Sequence, residues 1–303
     1  MKRISRILAA AAAITLIPAL AAADAVEEKH VLTGKATLDP AMGYMFLQAA
    51  GRTYGLFLRE PDDATRAEYQ AEWDEAFAKA QKKYVSALKS WEGRAAIARQ
   101  TKQKVPDKPE EPTRETFSIG PILMRDMVSF GPMYVYTKSD TQITYLNAVK
   151  PGTYIYYGPL LYAPGQPVGG MCYCMGTVRF EVKAGVITDL GNFLIAGPKL
   201  TPPYDYSTQM GLKQNEERVA KGKDPLWVPQ EVAFGVPDSL SKLPTVRAEF
   251  HASGKLNNYF GVLVTRMPPI PGVLDYRRDA VIDARTGSEV ASPLIVTQVR
   301  IKK

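Results

Sequence analysis

The chain has 303 residues, 46% of them hydrophobic, with 38 Lys and Arg, 31 Asp and Glu, and two cysteines. This length leaves room for one large domain or two ordinary domains, each with a buried core. Two cysteines are too few for a disulfide-stapled scaffold. The positive charge is mild and contains no run of five or six basic residues, so we expect no nucleic-acid partner.

The first 23 residues have the pattern of a secretory signal peptide. Lys2, Arg3 and Arg6 precede an uncharged, mostly apolar run over residues 7–20, and small residues follow at 21–23. The apolar run is shorter than the roughly 20 residues that a membrane-spanning helix needs. We therefore expect a cleaved signal peptide, a periplasmic bacterial protein, and no transmembrane segment in the mature chain.

Residues 31–60 alternate between apolar and polar side chains in the manner of β-strands. The pattern changes at Pro61. From residue 62 to about residue 102 there is no proline and a single glycine, Gly93, while apolar side chains recur at steps of three and four. This is the pattern of a long helix or a helical hairpin. A proline-rich exit follows at 104–115, so we predict a helical insertion over residues 61–115.

The apolar stripe of this helix is rich in aromatic side chains. A stripe of this kind needs a cover, because large exposed apolar patches are uncommon on monomers. The cover is either the β-rich body of the chain or a partner, which would be an envelope protein or the cell wall. The predicted interaction surface consists of Tyr69, Trp73, Phe77, Tyr84, Leu88 and Trp91.

Strand patterns resume after the insertion and continue through residues 116–196, with many β-branched and aromatic residues. Together with residues 24–60 they predict one β-sandwich domain. Residues 197–244 are a proline-rich loop or linker with a short helical candidate at 215–221. Residues 245–303 form a β-rich C-terminal part, which packs on the same body or forms a separate domain. The predicted fold is mainly β, an antiparallel β-sandwich with a long inserted α-helix or helical hairpin.

The two cysteines, Cys172 and Cys174, lie one residue apart between Met171 and Met175. If residues 171–183 form a strand, both cysteines share a buried face, and the methionines point the opposite way. Three interpretations remain open. The thiols fill the core, or they form a strained disulfide, because an extended strand separates their Cα atoms by roughly 6.6 Å. Otherwise they form a Cu(I) or thiol redox site with the two methionines as further soft ligands.

Other chemistry has weak support in the sequence. His251 falls on the polar face of the strand that alternation predicts over residues 246–252. None of the familiar nucleophile, zinc or phosphate-binding motifs is present. We therefore predict no catalytic residue and no cofactor. A dense cluster of both charge signs spans residues 275–285 and includes Asp283 and Arg285. An unrecognised hydrolase would use this cluster, whereas a network of surface ion pairs is the simpler explanation.

Two stretches, PGTYIYYG at 151–158 and CYCMGTVRFEVKAGVITDLG at 172–191, resemble a pattern in small exported bacterial β-sandwich proteins of unknown function. In that group a P-G-[TK]-Y strand is followed by a strand ending in F-x-V-x-x-G and then by a threonine-containing strand. The resemblance implies a β-sandwich and no particular activity. We therefore expect an exported envelope protein with a non-enzymatic binding or structural role. A Cu(I)-binding or thiol redox protein and a hydrolase are the alternatives.

Overall fold

The computed structural model describes residues 24–139, 142–162, 167–194, 206–225 and 232–292. The predicted signal peptide lies outside these ranges, as do parts of the predicted proline-rich linker and the end of the predicted C-terminal part. Helix accounts for 25% and strand for 27% of the structure, in several antiparallel sheets and one long helix. The fold is therefore mixed, and the prediction of a mainly β protein underestimated its helix content.

The described residues separate into two compact units. One unit runs from Pro61 to Arg125 and contains the long helix. The other consists of residues 24–60 and the described residues from Asp126 onward, and it contains the sheets. We predicted that the insertion would end at residue 115, but residues 116–125 belong with the helix. Arg125 explains part of this, because its guanidinium forms a two-pronged ion pair with the Glu72 carboxylate.

The described helices are α1 (Glu28–Leu32), α2 (Asp63–Gln100) and α3 (Tyr206–Ala220). The described strands are β1 (Asp24–Ala25), β2 (Gly43–Ala49), β3 (Gly55–Arg59), β4 (Met127–Phe130), β5 (Ile143–Val149), β6 (Gly152–Gly158), β7 (Leu160–Leu161), β8 (Gly169–Cys172), β9 (Thr177–Val182), β10 (Ile187–Asp189), β11 (Thr245–Arg247), β12 (His251–Ser253), β13 (Leu263–Val264), β14 (Leu274–Arg277), β15 (Ala280–Asp283) and β16 (Ser288–Glu289). Helix α3 lies inside the predicted loop at 197–244 and is longer than the helical candidate in that segment.

Ten strands form two five-stranded sheets. The first has the order β1-β5-β2-β10-β11, in which β10 runs parallel to both β2 and β11 and the other pairs are antiparallel. The second has the order β12-β9-β6-β3-β4 and is antiparallel throughout. Strands β11 and β12 follow each other in sequence but belong to different sheets. Residues 248–250 therefore carry the chain from an edge of the first sheet to an edge of the second.

The two five-stranded sheets bury side chains in one shared core. Phe57 of β3 is central to it, because its ring centroid lies 5.5 Å from that of Phe130 and 5.2 Å from that of Tyr156. Strand β2 is buried on both faces, since Tyr44 and Phe46 join a second cluster away from this core. Burial on both faces gives β2 a nearly continuous run of buried residues where a half-exposed strand would alternate.

Two smaller sheets complete the described strands. One has the order β13-β8-β7 and the other the order β14-β15-β16. The chain from residue 245 onward contributes β11 and β12 to the large sheets and β13 to β16 to the small ones. The sequence left open whether this part forms a separate domain. The structure places its described residues, 245–292, in the same compact unit as the sheets.

Helix α2 is a single helix of 38 residues that continues through Gly93 without a break, so it is not a helical hairpin. Its first turn is capped by Asp62, whose carboxylate accepts the backbone N–H of Thr65 at 2.8 Å. Such a cap satisfies one of the N–H groups that a helix leaves without a partner at its start.

The residues after α2 return along the helix. The indole N–H of Trp91 donates to the carbonyl oxygen of Pro106 at 2.7 Å. Farther along these residues, the hydroxyl of Tyr69 donates to the carbonyl oxygen of Gly120 at 2.8 Å. Residues 101–121, which we call the return segment, therefore run antiparallel to α2. Prolines suit this arrangement, because a segment that belongs to no sheet does not need the backbone N–H group that proline lacks.

Candidate functional site

The return segment covers the aromatic stripe of α2. Phe117 packs against both Trp73 and Phe77, with ring centroids 5.6 Å and 5.4 Å apart. The guanidinium of Arg114 lies 5.5 Å from the centre of the Trp73 ring, within cation–π range. Of the predicted interaction surface, Phe77 is buried, and the rest is half-buried: Tyr69, Trp73, Tyr84, Leu88 and Trp91. The chain itself thus supplies a cover that we had expected from the β body or a partner.

The cysteine segment is curled, and the predicted continuous strand over 171–183 is wrong. Strand β8 ends at Cys172 and β9 begins at Thr177, and between them Gly176 donates its N–H to the carbonyl oxygen of Tyr173 at 3.1 Å. The two cysteine Cα atoms are 5.1 Å apart and the sulfurs are joined in a disulfide. The curl brings the Cα atoms closer than the roughly 6.6 Å of an extended strand, a spacing that a disulfide accommodates.

Gly176 accounts for the curl. Its φ is +135°, which favours glycine, and a Cβ at this position would lie 2.7 Å from the Tyr276 ring and 2.8 Å from Val281. The turn also changes the sheet to which the chain belongs. Before it, Cys172 pairs with Val264 of β13, whereas after it β9 pairs with β6 and β12.

Both cysteines are buried, at 0% and 2% exposure for Cys172 and Cys174. The alternating pattern therefore predicted their burial correctly although the backbone is not extended. Met171 and Met175, the further metal ligands of the sequence hypothesis, are half-buried. Cu(I) coordination would need the two thiolates that the disulfide occupies. Within the described ranges, no three His, Cys, Asp or Glu side chains are grouped as a metal site.

A cleft of about 390 Å³ opens where the chain passes from β11 to β12. One wall is the outward face of the second sheet. On this face Thr153 lies opposite Glu181 on the neighbouring strand, and Arg179 lies opposite His251. The other wall comes from β11 and the crossover that follows it. The lining residues are Thr153, Arg179, Phe180, Glu181, Lys183, Val246, Arg247, Glu249 and His251.

The cations of the cleft are held loosely. Arg179 lies 3.5 Å from a Glu60 oxygen, and Lys183 lies 3.9 Å from a Glu181 oxygen. Charge-assisted hydrogen bonds are normally about 2.7–2.9 Å, so these side chains keep N–H donors for a ligand. The guanidinium of Arg247 lies 5.6 Å from the centre of the Phe234 ring. The cleft thus combines two arginines and a lysine with the carboxylates of Glu181 and Glu249.

Arg285 belongs to the charged cluster predicted at 275–285, and its side chain contacts residues that line this cleft. Its guanidinium contacts Nδ1 of His251, pairs with Glu249 at 3.1 Å, and donates to the carbonyl oxygen of Phe250 at 2.8 Å. An arginine has donors only, so in this contact Nδ1 of His251 is the acceptor. Asp283 also supports Arg285 by accepting its backbone N–H at 2.9 Å. The other charged residues of the predicted 275–285 cluster are exposed on β14 and the β14–β15 turn: Asp275, Arg277, Arg278 and Asp279.

A buried arginine network was missed by the sequence. Arg59 is only 6% exposed and pairs with Asp126 at 3.1 Å, while its Nε donates to the carbonyl oxygen of Pro151 at 2.8 Å. Lys150 reaches the other oxygen of Asp126 at 2.9 Å. The signal available was Arg59 itself, a charged residue at the end of the apolar run GLFLR. Nothing in that run indicates its partner, which lies beyond the insertion.

Asp189 is the second buried polar site that the sequence did not indicate. It is 2% exposed and accepts the backbone N–H groups of Gly191 at 2.8 Å and Gly235 at 2.6 Å. Burial raises the pKa of this carboxyl, and the two N–H donors and the charge of Arg247 offset only part of the rise. Asn192 makes a similar bond, accepting the N–H of Ala233 at 2.7 Å. These two side chains fix residues 233–235 beside β10.

Comparison of the chain with protein-family models, with curated proteins and with solved structures gives no match. In the part of the chain that the structure describes, no helix is both long enough and apolar enough to cross a bilayer.

Proposed function

We propose that this chain is an exported bacterial envelope protein that binds a cell-wall component in the cleft between β9, β11 and β12, without catalysing a reaction. Export rests on the signal-peptide pattern of residues 1–23 and implies the periplasm as the compartment. We also interpret the two five-stranded sheets with their shared core as a β-sandwich, in line with the resemblance at 151–158 and 172–191.

One observation carries the binding proposal: the cleft presents cations and carboxylates side by side on an outward sheet face. Arg179, Lys183 and Arg247 suit a carboxylate ligand, and arginine can bind it through two parallel hydrogen bonds. Glu181 and Glu249 suit an ammonium group. A ligand with both groups matches this lining better than a simple anion does. The stem peptides of peptidoglycan carry carboxylates and ammonium groups, so they have the required chemistry.

The site geometry favours binding over hydrolysis. In a neutral histidine, the nitrogen without a proton is the one that acts as a base. In His251 that nitrogen is Nδ1, and it already accepts from Arg285. The cysteine alternative is disfavoured in the same way, because the sulfurs of Cys172 and Cys174 are bonded to each other and buried. Metal analysis of the purified protein tests the Cu(I) alternative directly.

The test is sedimentation of the mature protein with purified peptidoglycan sacculi. We expect the wild-type protein to sediment with the sacculi, and Arg179→Gln combined with Lys183→Gln to weaken binding by about tenfold or more, since each lost charged hydrogen bond contributes roughly 1.5–3 kcal/mol. Arg277→Gln is the matched control, because Arg277 is an exposed arginine of β14 outside the cleft. Equal sedimentation of wild type and double variant would contradict the assignment of the cleft. No sedimentation of the wild type, with cross-linking to another envelope protein through the cleft, would indicate a protein partner.

A further inference from the structure

The charges of α2 are arranged in two blocks on one exposed face. Glu68, Glu72 and Glu75 follow one another at steps of four and three, and they are succeeded at the same spacing by lysines. Residues at such steps lie on one side of a helix. All six side chains of this face, which we call the charged face, are exposed: Glu68, Glu72, Glu75, Lys79, Lys82 and Lys83.

The helix macrodipole does not explain this division. The macrodipole favours acids in the first turn and bases in the last turn, and its effect falls off within those turns. The two blocks instead meet near the middle of the 38-residue helix. Each block also places like charges four residues apart, Glu68 with Glu72 and Lys79 with Lys83, an arrangement that destabilises an isolated helix. At the junction of the blocks, Glu75 and Lys79 form an ion pair at 2.5 Å.

We propose that α2 pairs with α2 of a second copy of this chain, antiparallel and through the charged face. With the two-fold axis near residue 77, Glu75 meets the partner's Lys79 and Glu72 meets the partner's Lys82. Glu68 then lies within one turn of the partner's Lys83. Every contact occurs twice because a two-fold interface is the same on both copies. The acidic block of each helix thus faces the basic block of the other.

In the helical unit the charged face is the exposed side of α2, although Glu72 on this face also pairs with Arg125. The aromatic stripe is contacted by the return segment, through Phe117, Pro106 and Gly120, so the stripe is not available for pairing. Antiparallel pairing also places the opposite ends of the two helix dipoles beside each other. Because exposed ion pairs are individually weak and screened by salt, we expect weak pairing, with a Kd on the order of 10–100 µM at low salt, and dissociation at about 0.5 M NaCl.

A charge-swap experiment on the full mature protein tests the proposal. One variant carries Glu68→Lys and Glu75→Lys, and the other carries Lys79→Glu and Lys83→Glu. Glu72 and Lys82 stay unchanged, since Glu72 also holds Arg125. We expect wild type to dimerise in sedimentation-velocity runs at about 100 µM in low salt, a concentration at or above the expected Kd. Each variant alone should associate at least about tenfold more weakly, because its like charges now face each other.

Mixing the two variants should restore a dimer of wild-type affinity, because every swapped lysine then faces a swapped glutamate. This restoration also shows that neither variant has lost its fold. A wild-type protein that stays monomeric under these conditions overturns the proposal. If such a monomer binds heparin through its lysine block, the block binds a polyanion and not a second copy, which also overturns the proposal. Variants that dimerise as well as wild type, or a mixture of folded variants that fails to dimerise, would place any dimer interface elsewhere.

Discussion

The rings of Trp73 and Phe117 meet edge to face, with their centroids 5.6 Å apart. Trp73 is on α2 and Phe117 is on the return segment, and the indole N–H of Trp73 also points to the carbonyl oxygen of Phe117 at 3.4 Å. With the Tyr69–Gly120 and Trp91–Pro106 hydrogen bonds, this contact attaches the return segment to α2 at three levels. The helical unit is therefore a two-part structure, in which the return segment covers an aromatic helix face.

Replacing Phe117 with alanine should loosen this attachment. The ring is half-buried and touches two aromatic side chains, so we expect a loss of about 2–3 kcal/mol in the stability of the helical unit. Tryptophan emission should shift to the red, and trypsin should cleave faster after Arg114. Val85→Ala on α2 is the control, because Val85 is 65% exposed and should change neither readout. Unchanged cleavage after Arg114 in Phe117→Ala would show that other contacts hold the return segment.

The disulfide between Cys172 and Cys174 predicts an oxidised and unreactive pair. Reduction under denaturing conditions should raise the intact mass by two hydrogen atoms, and a thiol reagent should find no free thiol in the protein unfolded without reductant. The loop closed by the bridge is very short, so the bridge lowers the entropy of the unfolded chain only slightly. The double substitution Cys172→Ala and Cys174→Ala should therefore lower the free energy of unfolding by only about 2 kcal/mol. Two titratable thiols in the unreduced protein would contradict the bridge.

The long helix was predictable because its evidence is local. The apolar residues at steps of three and four lie within one segment, and α2 begins where this pattern predicts. The cysteine turn was not predictable in this way. Alternation over 171–182 predicts the buried even-numbered residues correctly but misses Thr177, which is also buried. The turn depends on the contact of Gly176 with Tyr276 and Val281, about 100 residues farther along the chain.

The cleft was beyond the sequence for a related reason. The apolar–polar alternation of 246–252 predicted a single strand, whereas β11 and β12 belong to different sheets. The cleft exists because of that change of sheet. His251 and Arg285 were both noted as polar residues, yet only the crossover brings the imidazole and the guanidinium together. The cover of the aromatic stripe was missed because a proline-rich polar segment has no periodicity that would indicate packing.

The Arg59–Asp126 pair should be important for stability. Asp126→Ala removes the carboxylate that pairs with a guanidinium only 6% exposed, and a buried arginine that loses its counter-charge is costly, so we expect a loss of about 2–4 kcal/mol in urea unfolding. Asp126→Asn keeps one oxygen acceptor for Arg59 and should cost less. Lys150→Ala is the control, since its side chain is 58% exposed and its pair with Asp126 is screened by solvent. Equal losses in all three variants would indicate that the Arg59 contact has no special weight.

Asp189 predicts a pH dependence of stability with a definite sign. Burial raises its pKa above the usual 3.8. At a pH between 3.8 and the raised pKa, the folded protein therefore holds a proton that the unfolded chain has released. The contribution of Asp189 to stability is therefore greatest below the unfolded pKa and declines as the pH rises through the folded pKa.

Asp189→Asn does not titrate, and it replaces one acceptor of the Gly191 and Gly235 N–H groups with a donor. We expect this variant to lose about 1–3 kcal/mol at neutral pH. The advantage of wild type over the variant, measured by urea unfolding from acid to neutral pH, should shrink as the pH rises and then stay constant. An advantage that grows with pH would mean that the hydrogen bonds outweigh burial and that the folded carboxyl has a lowered pKa.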